Sequence, residues 1–258
     1  MEKVSVVIPC YNSEDTIERA LNSVKEQTYP IHEIIVVDDC SSDKTYDVIL
    51  NFIKKTELSV KVLCNNVNSG PSLSRNTGIM AATGDYIAFL DADDFWLPNK
   101  TEVQMKFILQ YNMDCVGSSF LIDGDMPFNH ENEYQLNLLN LTQLLMKNSL
   151  PTPSVIIKKN GYIFDESMKY AEDYDLWLRF SIDNKVIGYV VQPLIMLGKP
   201  SYGYSGLSAN LIKMEKGEIK AIIKNVSKKN FFLTVFFVLF SFLKFIRRVV
   251  KVYLSKLF

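Results

Sequence analysis

Short apolar runs alternate with amphipathic stretches along the first third of the chain. The runs that predict buried strands lie at 4–8, 33–37, 60–64 and 85–90. Between them, apolar side chains recur at helical spacing, as at Ile17, Leu21 and Val24. Strands that alternate with helices are typical of βαβ units around a parallel sheet. The pattern therefore predicts an α/β fold with a mainly parallel central sheet flanked by helices.

The pattern is coarser in the second half of the chain. It predicts helices over 98–110 and 174–182, and strands over 113–119 and 154–158. A polar segment near 127–140 is a candidate lid or acceptor loop. The glycine-rich segment 202–210 is either a flexible loop that closes over a ligand or a plain connecting loop.

The last forty residues differ in charge from the rest of the chain. All 29 acidic residues end at Glu218, whereas nine of the 28 basic residues follow it, which leaves 19 basic residues in the body. Residues 1–218 thus carry a net charge near -10, and residues 219–258 carry a charge near +9. We expect a body (1–218), followed by a basic, hydrophobic tail (219–258).

The tail contains an apolar run of thirteen residues, 231–243. A helix of that length covers about 20 Å, which is short of the ~30 Å hydrocarbon core of a bilayer. We therefore expect an amphipathic interfacial helix that binds an anionic membrane surface through 219–258, with basic side chains at the headgroups. A core helix or a dimer-interface helix is the alternative.

Composition narrows the class of protein. The 258 residues suffice for one α/β domain with a small addition. The four cysteines lack CxxC spacing, which argues against a zinc site or a disulfide framework. No leader-like apolar stretch follows Met1, so we expect a cytoplasmic location. The charge balance does not point to nucleic acid, and the oligomeric state stays open.

Three carboxylates, Asp91, Asp93 and Asp94, follow the fourth predicted strand. Their mutual repulsion raises their pKa values unless a cation neutralises them, and open α/β sheets bind ligands beyond the carboxyl ends of their strands. Hard oxygen ligands favour Mg²⁺ or Mn²⁺, which complete their shells with water and substrate phosphates. The cluster thus points to a nucleotide diphosphate. A solvated acidic loop is the alternative.

Four separated segments, at 6–12 (VVIPCYN), 34–43 (IIVVDDCSSD), 74–78 (SRNTG) and 84–94 (GDYIAFLDADD), carry a family resemblance. Over about its first 190 residues the chain resembles the family 2 glycosyltransferases, which have the Rossmann-like GT-A fold. A Gln-x-x-Arg-Trp motif, which marks the processive members, is missing. The resemblance therefore implies a non-processive enzyme of the bacterial O-antigen or capsule assembly type. It also implies that the body consists of a nucleotide-sugar-binding half (1–115) and an acceptor-binding half (116–218).

The resemblance also implies a nucleotide-sugar site, formed by Pro9, Tyr11, Asn12, Asp39, Arg75, Asp91 and Ala92. Pro9 and Tyr11 would line the base and ribose pocket, and Asp39 would accept a hydrogen bond from uracil. Arg75 would lie beside the base or the diphosphate. Four of these residues have structural alternatives: Pro9 as a strand stop, Tyr11 as a packing ring, Asp39 as a cap of the next helix, and Arg75 as a surface cation.

By the same resemblance, Asp93 would bind a Mn²⁺ or Mg²⁺ cofactor, and Asp91 would bond the ribose, the metal or a metal-bound water. The cation would stabilise the departing nucleoside diphosphate. In the segment 171–179 (AEDYDLWLR), Asp173 matches the catalytic base and Glu172 a contact to acceptor or donor sugar. Acidic residues that stabilise a helix N-terminus are the alternative explanation for this segment.

The sequence therefore predicts an inverting, metal-dependent glycosyltransferase. It would move one sugar from a UDP-sugar to a lipid-linked, polyprenyl-diphosphate oligosaccharide at the inner face of the membrane. Neither GxGxxG nor GxxxxGK[ST] occurs, which argues against dehydrogenases and kinases. The alternative is a catalytically silent nucleotide-sugar-binding or scaffold protein of the same fold.

Overall fold

The computed structural model describes residues 1–125, 133–199, 207–227 and 230–254. The predicted lid segment and the segment 202–210 lie partly outside these residues. The strands are β1 (Val4–Cys10), β2 (Glu33–Asp38), β3 (Val60–Cys64), β4 (Tyr86–Phe89), β5 (Phe95–Trp96), β6 (Cys115–Ile122), β7 (Leu136–Leu139), β8 (Ile156–Lys158) and β9 (Ile187–Leu197). The helices are α1 (Ile17–Lys25), α2 (Thr45–Ile53), α3 (Pro71–Ala81), α4 (Lys100–Tyr111), α5 (Leu141–Met146), α6 (Glu172–Ile182), α7 (Leu211–Val226) and α8 (Phe231–Leu254).

One twisted sheet organises the described part of the chain. Its strand order is β3-β2-β1-β4-β8-β6-β9-β5, and β7 pairs with β9 beside that path. The half made of β3, β2, β1 and β4 is parallel throughout. Beyond β4 the sheet is mixed, since β8 runs antiparallel to both β4 and β6 while β6 and β9 are parallel. The predicted α/β class and the flanking helices are confirmed.

The central strands are apolar because both faces of the sheet are covered. Along β2, Ile34 and Val36 face one apolar cluster, and Ile35 and Val37 face the other. All four side chains are fully buried. Strands buried on both faces lose the alternation of polar and apolar residues, which is why the sequence shows continuous apolar runs here.

Helix α3 lies unusually close to the sheet. A Cβ atom added at Gly78 would lie 2.4 Å from Cγ1 of Val7 on β1, so glycine is needed for this approach. The helix begins with Pro71 after Gly70, whose φ of 88° lies in the left-handed region that favours glycine. This close contact fixes α3 on the sheet and places Arg75, one turn earlier on the helix, next to the end of β4.

Strand β9, like helix α7, was not predicted from the sequence pattern. Its eleven residues pair with β6, β7 and β5, but Pro193 lies in the middle of them. A proline has no backbone N–H and is unfavourable inside a sheet. The structure accommodates it with a shift in the β6–β9 register, at which Ser119 pairs with Pro193.

The C-terminal helices form a layer that packs on α6. The buried carboxylate of Asp175 on α6 accepts hydrogen bonds from Lys224 Nζ and Asn225 Nδ2 on α7, both at 2.8 Å. Helix α8 then packs on α7 and α5, with Phe237 buried in the same cluster as α6. The predicted boundary between body and tail, at 218, falls inside α7.

We predict that Gly78→Ala lowers the free energy of unfolding by about 1–3 kcal/mol, because the added methyl group overpacks the interface with Val7. Helix propensity alone would predict a gain of up to about 1 kcal/mol. Urea unfolding of both variants in a double-mutant cycle separates the two effects. In a Val7→Ala background Gly78→Ala should be neutral or stabilising, and an equal loss in both backgrounds would contradict the contact.

Candidate active site

The carboxyl ends of β1 and β2 are joined by side chains of their own loops. Asn12 adopts a φ of 47°, and its backbone N–H donates to Ser41 Oγ at 2.9 Å. Its side-chain Oδ1 in turn accepts from the Ser42 N–H at 2.9 Å. Asparagine tolerates the left-handed conformation better than most residues. Asn12 therefore fixes the loop after β1 against the loop after β2.

Asp39 anchors the loop that leads into α3. Its Oδ1 accepts from Asn65 Nδ2 at 2.7 Å, and its Oδ2 accepts from the Gly70 N–H at 2.7 Å. The Ser69 N–H lies between the two oxygens, at 3.0 and 3.1 Å. The Asp39 carboxylate thus holds the loop before α3. It does not cap the next helix, α2, which was its structural alternative. Three donors leave a carboxylate room for about one further hydrogen bond.

The other residues predicted to form a nucleotide pocket occupy the same edge of the sheet. Pro9 pairs with Val37 in the parallel ladder, and the ring of Tyr11 is exposed just beyond the strand end. Ala92 is buried in the turn after β4. An exposed aromatic ring beside buried strand ends can stack on a flat ligand group without any rearrangement of the core.

Arg75 joins the two halves of the site. Its Nη2 donates to Asp91 Oδ1 at 2.6 Å, and its Nη1 donates to Glu172 Oε1 at 3.0 Å. The guanidinium is buried, with the Phe164 ring 5.4 Å away. The two carboxylates raise its pKa further, against the effect of burial. Arg75 is therefore not a surface cation, and it connects the turn after β4 to the first residue of α6.

The three carboxylates of the acidic turn after β4 have different partners. Asp91 is held by Arg75, and Asp94 Oδ1 accepts from the Gly198 N–H at 2.9 Å. Burial, with Asp91 and Asp93 nearby, raises the pKa of Asp94 to about 8. Asp93 Oδ2 faces Lys199 Nζ at 2.6 Å. Among the described residues no three acidic, histidine or cysteine side chains converge as metal ligands.

These residues fit a hard divalent cation that takes few protein ligands. Asp93 Oδ2 pairs with a cation, the Lys199 ammonium, and its side chain is partly exposed, so a cation from solvent can reach it. Mg²⁺ is commonly bound through one or two carboxylates together with substrate phosphates and water. The donor set is oxygen only, as Mg²⁺ and Mn²⁺ prefer.

Asp173 lies in the first turn of α6, beside Glu172. Its Oδ2 accepts weakly from Asn148 Nδ2 at 3.4 Å and Thr152 Oγ1 at 3.5 Å, and its Oδ1 accepts from the Tyr174 N–H at 2.6 Å. Removal from water, followed by the charge of Glu172, raises the pKa of Asp173 to about 7. A carboxylate with such a pKa can take up a proton near neutral pH.

Comparison with known proteins decides the family. The model of the family described as Glycosyl transferase family 2 matches residues 5–169, more than half of the chain. Escherichia coli WfgD, named a UDP-Glc:alpha-D-GlcNAc-diphosphoundecaprenol beta-1,3-glucosyltransferase, is 34% identical over 187 residues, which cover 71% of each protein. This chain is a family 2 glycosyltransferase.

Solved structures confirm the GT-A fold of this glycosyltransferase. Staphylococcus aureus TarS 1-349 in complex with UDP-GlcNAc matches with a TM-score of 0.67 at 23% identity, over 86% of this chain and 67% of that one. The mannosyltransferase PcManGT from Pyrobaculum calidifontis, in complex with GDP-Man and Mn²⁺, matches with a TM-score of 0.68 at 19% identity, over 87% of this chain and 64% of that one. At these identities the likeness concerns the fold alone.

Three residues that contact the predicted site residues were not predicted from the sequence. Asn148 and Thr152 lie in a stretch without periodicity, so no local signal marks them. Lys199 follows β9, which the proline had concealed. Recognising β9 as a strand would have marked Lys199, because residues just past a strand end lie at the edge of the sheet.

We predict that the Asp173 carboxyl titrates near pH 7 and is mainly protonated below that pH. Substituting Asn148→Ala should raise its pKa by about half a unit, because a donor to the charged form is lost. Carbon-13 NMR of aspartate-labelled protein would measure both, with the signal assigned by its absence in Asp173→Asn. An Asp173 pKa near 4 would contradict the prediction.

Proposed function

We propose that this glycosyltransferase moves a single sugar from a UDP-sugar to a polyprenyl-diphosphate-linked saccharide, with inversion at the anomeric carbon and with the help of Mn²⁺ or Mg²⁺. The observation that carries the proposal is the bridge of Arg75 between Asp91 and Glu172. It brings the acidic turn after β4 next to the start of α6. A donor-side cation site and an acceptor-side base are thereby neighbours.

The nucleotide would bind across the ends of β1, β2 and β4. The exposed ring of Tyr11 would stack on the base beside Pro9, and Asp39 has capacity for one more donor, such as the imide N–H of uracil. Asn12, Arg75 and Ala92 would shape the pocket around the ribose and diphosphate. A UDP-sugar is supported by the name of WfgD, which is 34% identical to this chain over 187 residues.

The cation would be held by Asp93, with Asp91 bonding the ribose, the metal or a metal-bound water. When bound, it would neutralise negative charge on the departing diphosphate. The protein's own part is to hold these two carboxylates in a fixed turn. Arg75 holds Asp91, and the Asp94 side chain holds the end of β9 against the same turn.

Asp173 would act as the catalytic base. The acceptor oxygen attacks the anomeric carbon and its proton passes to Asp173, while the bond from that carbon to the diphosphate oxygen breaks and its electron pair leaves with the diphosphate. Direct displacement from the opposite side inverts the anomeric carbon. Glu172 would contact acceptor or donor sugar. Glu172 is paired with the Arg75 guanidinium, whereas the Asp173 oxygens accept from neutral donors, so Asp173 is the better candidate to take the proton.

The lipid-linked acceptor is supported by the name of WfgD and by the surface of α8. One face of α8 is apolar and exposed to solvent; it comprises Phe231, Phe232, Val235, Phe236, Leu239, Phe242, Leu243, Ile246, Val249, Val250 and Tyr253. We call it the α8 outer face. Continuous apolar surface of this kind marks a membrane or protein contact. In the part of the chain that the structure describes, no helix combines the length and apolarity needed to cross a bilayer.

The inner face of α8 changes the expected role of its basic residues. Arg248 Nη1 pairs with Glu218 Oε1 at 2.9 Å, and Lys244 Nζ lies 3.5 Å from the Leu145 carbonyl. Both side chains face the protein and not a headgroup, whereas Arg247 is exposed. The proposed membrane contact therefore depends mainly on apolar side chains of the α8 outer face, with the protein lying peripherally on the cytoplasmic side.

We predict that Asp93→Ala and Asp173→Asn abolish donor turnover for different reasons. A panel of nucleotide sugars, with and without Mn²⁺, would be assayed for release of nucleoside diphosphate with and without polyprenyl-diphosphate acceptors. Wild type should act on one UDP-sugar in a metal-dependent way. Asp173→Asn should lower kcat about 10²–10⁴-fold while UDP binding persists, and Asp93→Ala should lose the response to Mn²⁺.

The exposed Asp47→Asn serves as the matched control and should behave as wild type. If wild type released no diphosphate from any donor, with or without acceptor, but still bound UDP, the catalytically silent binding protein would be the better explanation. Full activity in Asp173→Asn would instead remove Asp173 as the base.

We predict that the triple variant Phe232→Ser, Phe236→Ser, Leu239→Ser lowers binding to vesicles containing anionic lipid by about tenfold or more. Each side chain is more than half exposed, so the fold should not depend on it. The loss follows from the apolar area that would no longer be buried in the interface. Co-sedimentation with phosphatidylglycerol vesicles would measure it.

The control is a variant with similarly exposed apolar residues elsewhere, Met80→Ser, Leu109→Ser, Tyr111→Ser, which should bind as wild type. Light scattering on the same samples tests the dimer-interface alternative. A wild-type dimer that dissociates in the α8 variant, with vesicle binding unchanged, would assign the α8 outer face to self-association.

A further inference from the structure

The end of β9 brings an ammonium group to the acidic turn after β4. Lys199 Nζ lies 2.6 Å from Asp93 Oδ2, and about two fifths of each side chain is exposed. Asp93 is the carboxylate that the proposed function assigns to the divalent cation. An ammonium and a divalent cation repel each other, so the two compete for the Asp93 carboxylate.

The backbone around Lys199 makes this encounter a fixed feature of the fold. The Gly198 N–H donates to Asp94 Oδ1, and a Cβ atom at Gly198 would lie 2.1 Å from the Asp93 carbonyl oxygen. Arg19 Nη2 donates to that same carbonyl at 3.3 Å. The end of β9 thus packs closely on the turn. The backbone of Lys199 is therefore held beside Asp93 in any conformation of the Lys199 side chain.

We infer that Lys199 neutralises Asp93 until a divalent cation takes its place, and that the displaced ammonium then binds the diphosphate of the donor. This inference rests on the proposed function for the roles of Asp93 and the diphosphate. A lysine suits both positions because its charge sits on a flexible four-carbon stem. The contacts of Gly198 fix the Lys199 backbone beside Asp93. The ammonium therefore stays within reach of a diphosphate that binds the same cation as Asp93.

The second position of Lys199 would contribute to the reaction. As the bond from the anomeric carbon to the diphosphate oxygen breaks, the electron pair remains on the diphosphate. An ammonium already beside it stabilises the charge that develops there. In this role Lys199 binds the leaving group and takes part in no proton transfer.

The exchange also couples two binding steps. Without nucleotide, the cation must break the contact between Lys199 and Asp93, which weakens its binding. With nucleotide present, the Lys199 ammonium binds the diphosphate, and this new contact offsets the loss of the contact with Asp93. Cation and nucleoside diphosphate should therefore each strengthen the binding of the other, by the same factor.

Calorimetric titration of the full chain with Mn²⁺ alone, and with UDP at saturating Mn²⁺, tests the inference. Lys199→Gln should bind Mn²⁺ about two- to fivefold more tightly than wild type, the range expected when a partly exposed ion pair no longer competes. The same variant should bind UDP about tenfold more weakly, because a charged hydrogen-bond donor is lost. Lys199→Arg keeps the charge and should bind Mn²⁺ as wild type does.

Lys185→Gln is the matched control. Lys185 has similar exposure, and its Nζ lies 3.7 Å from Asp114 Oδ1, away from this turn. It should change neither affinity. If Lys199→Gln left either the Mn²⁺ or the UDP affinity at the wild-type value, the inference would be wrong while the proposed function stood. If wild type itself bound neither Mn²⁺ nor UDP, the proposed function would fail first.

Discussion

The buried guanidinium of Arg75 is the interaction on which the site depends. It lies between a carboxylate at the end of β4 and one at the start of α6, segments that are far apart in the chain. A buried charge is tolerated only when it is paired, and removing one partner of such a pair typically costs about 3–5 kcal/mol. Asp91 and Glu172 therefore have to be considered together, as a single support for the donor and acceptor sides.

The parallel half of the sheet could be predicted from the sequence, and so could the meeting of most predicted site residues at one edge of that sheet. The runs that become β1, β2 and β4 are mostly apolar, and the polar residues that follow them come together because parallel strands end at the same edge. Short or interrupted elements were less visible. Pro193 concealed β9, and α5 was too short for periodicity, although Asn140 and Gln143 form the capping box that marks its start.

Pairings between distant residues could not be predicted. That Arg75 reaches Glu172, or that Lys199 reaches Asp93, follows from the order of strands and from close approaches such as Gly198 on the turn. The two faces of α8 were a similar case. Its composition suggested basic residues at a membrane, but Arg248 pairs with Glu218 because the body supplies a buried acid there. Sequence pattern gives the amphipathic character of a helix, and tertiary packing decides which charges remain outside.

The loop held by Asp39 has a consequence for the energetics of ligand binding. Asn65, Ser69 and Gly70 are already bonded to its carboxylate, and Asn12 is already bonded to Ser42. The nucleoside of the proposed donor would enter between loops that are already ordered, so little backbone entropy would be lost on association. The heat-capacity change of binding should then report the apolar area covered by the base, with little contribution from folding of the loops.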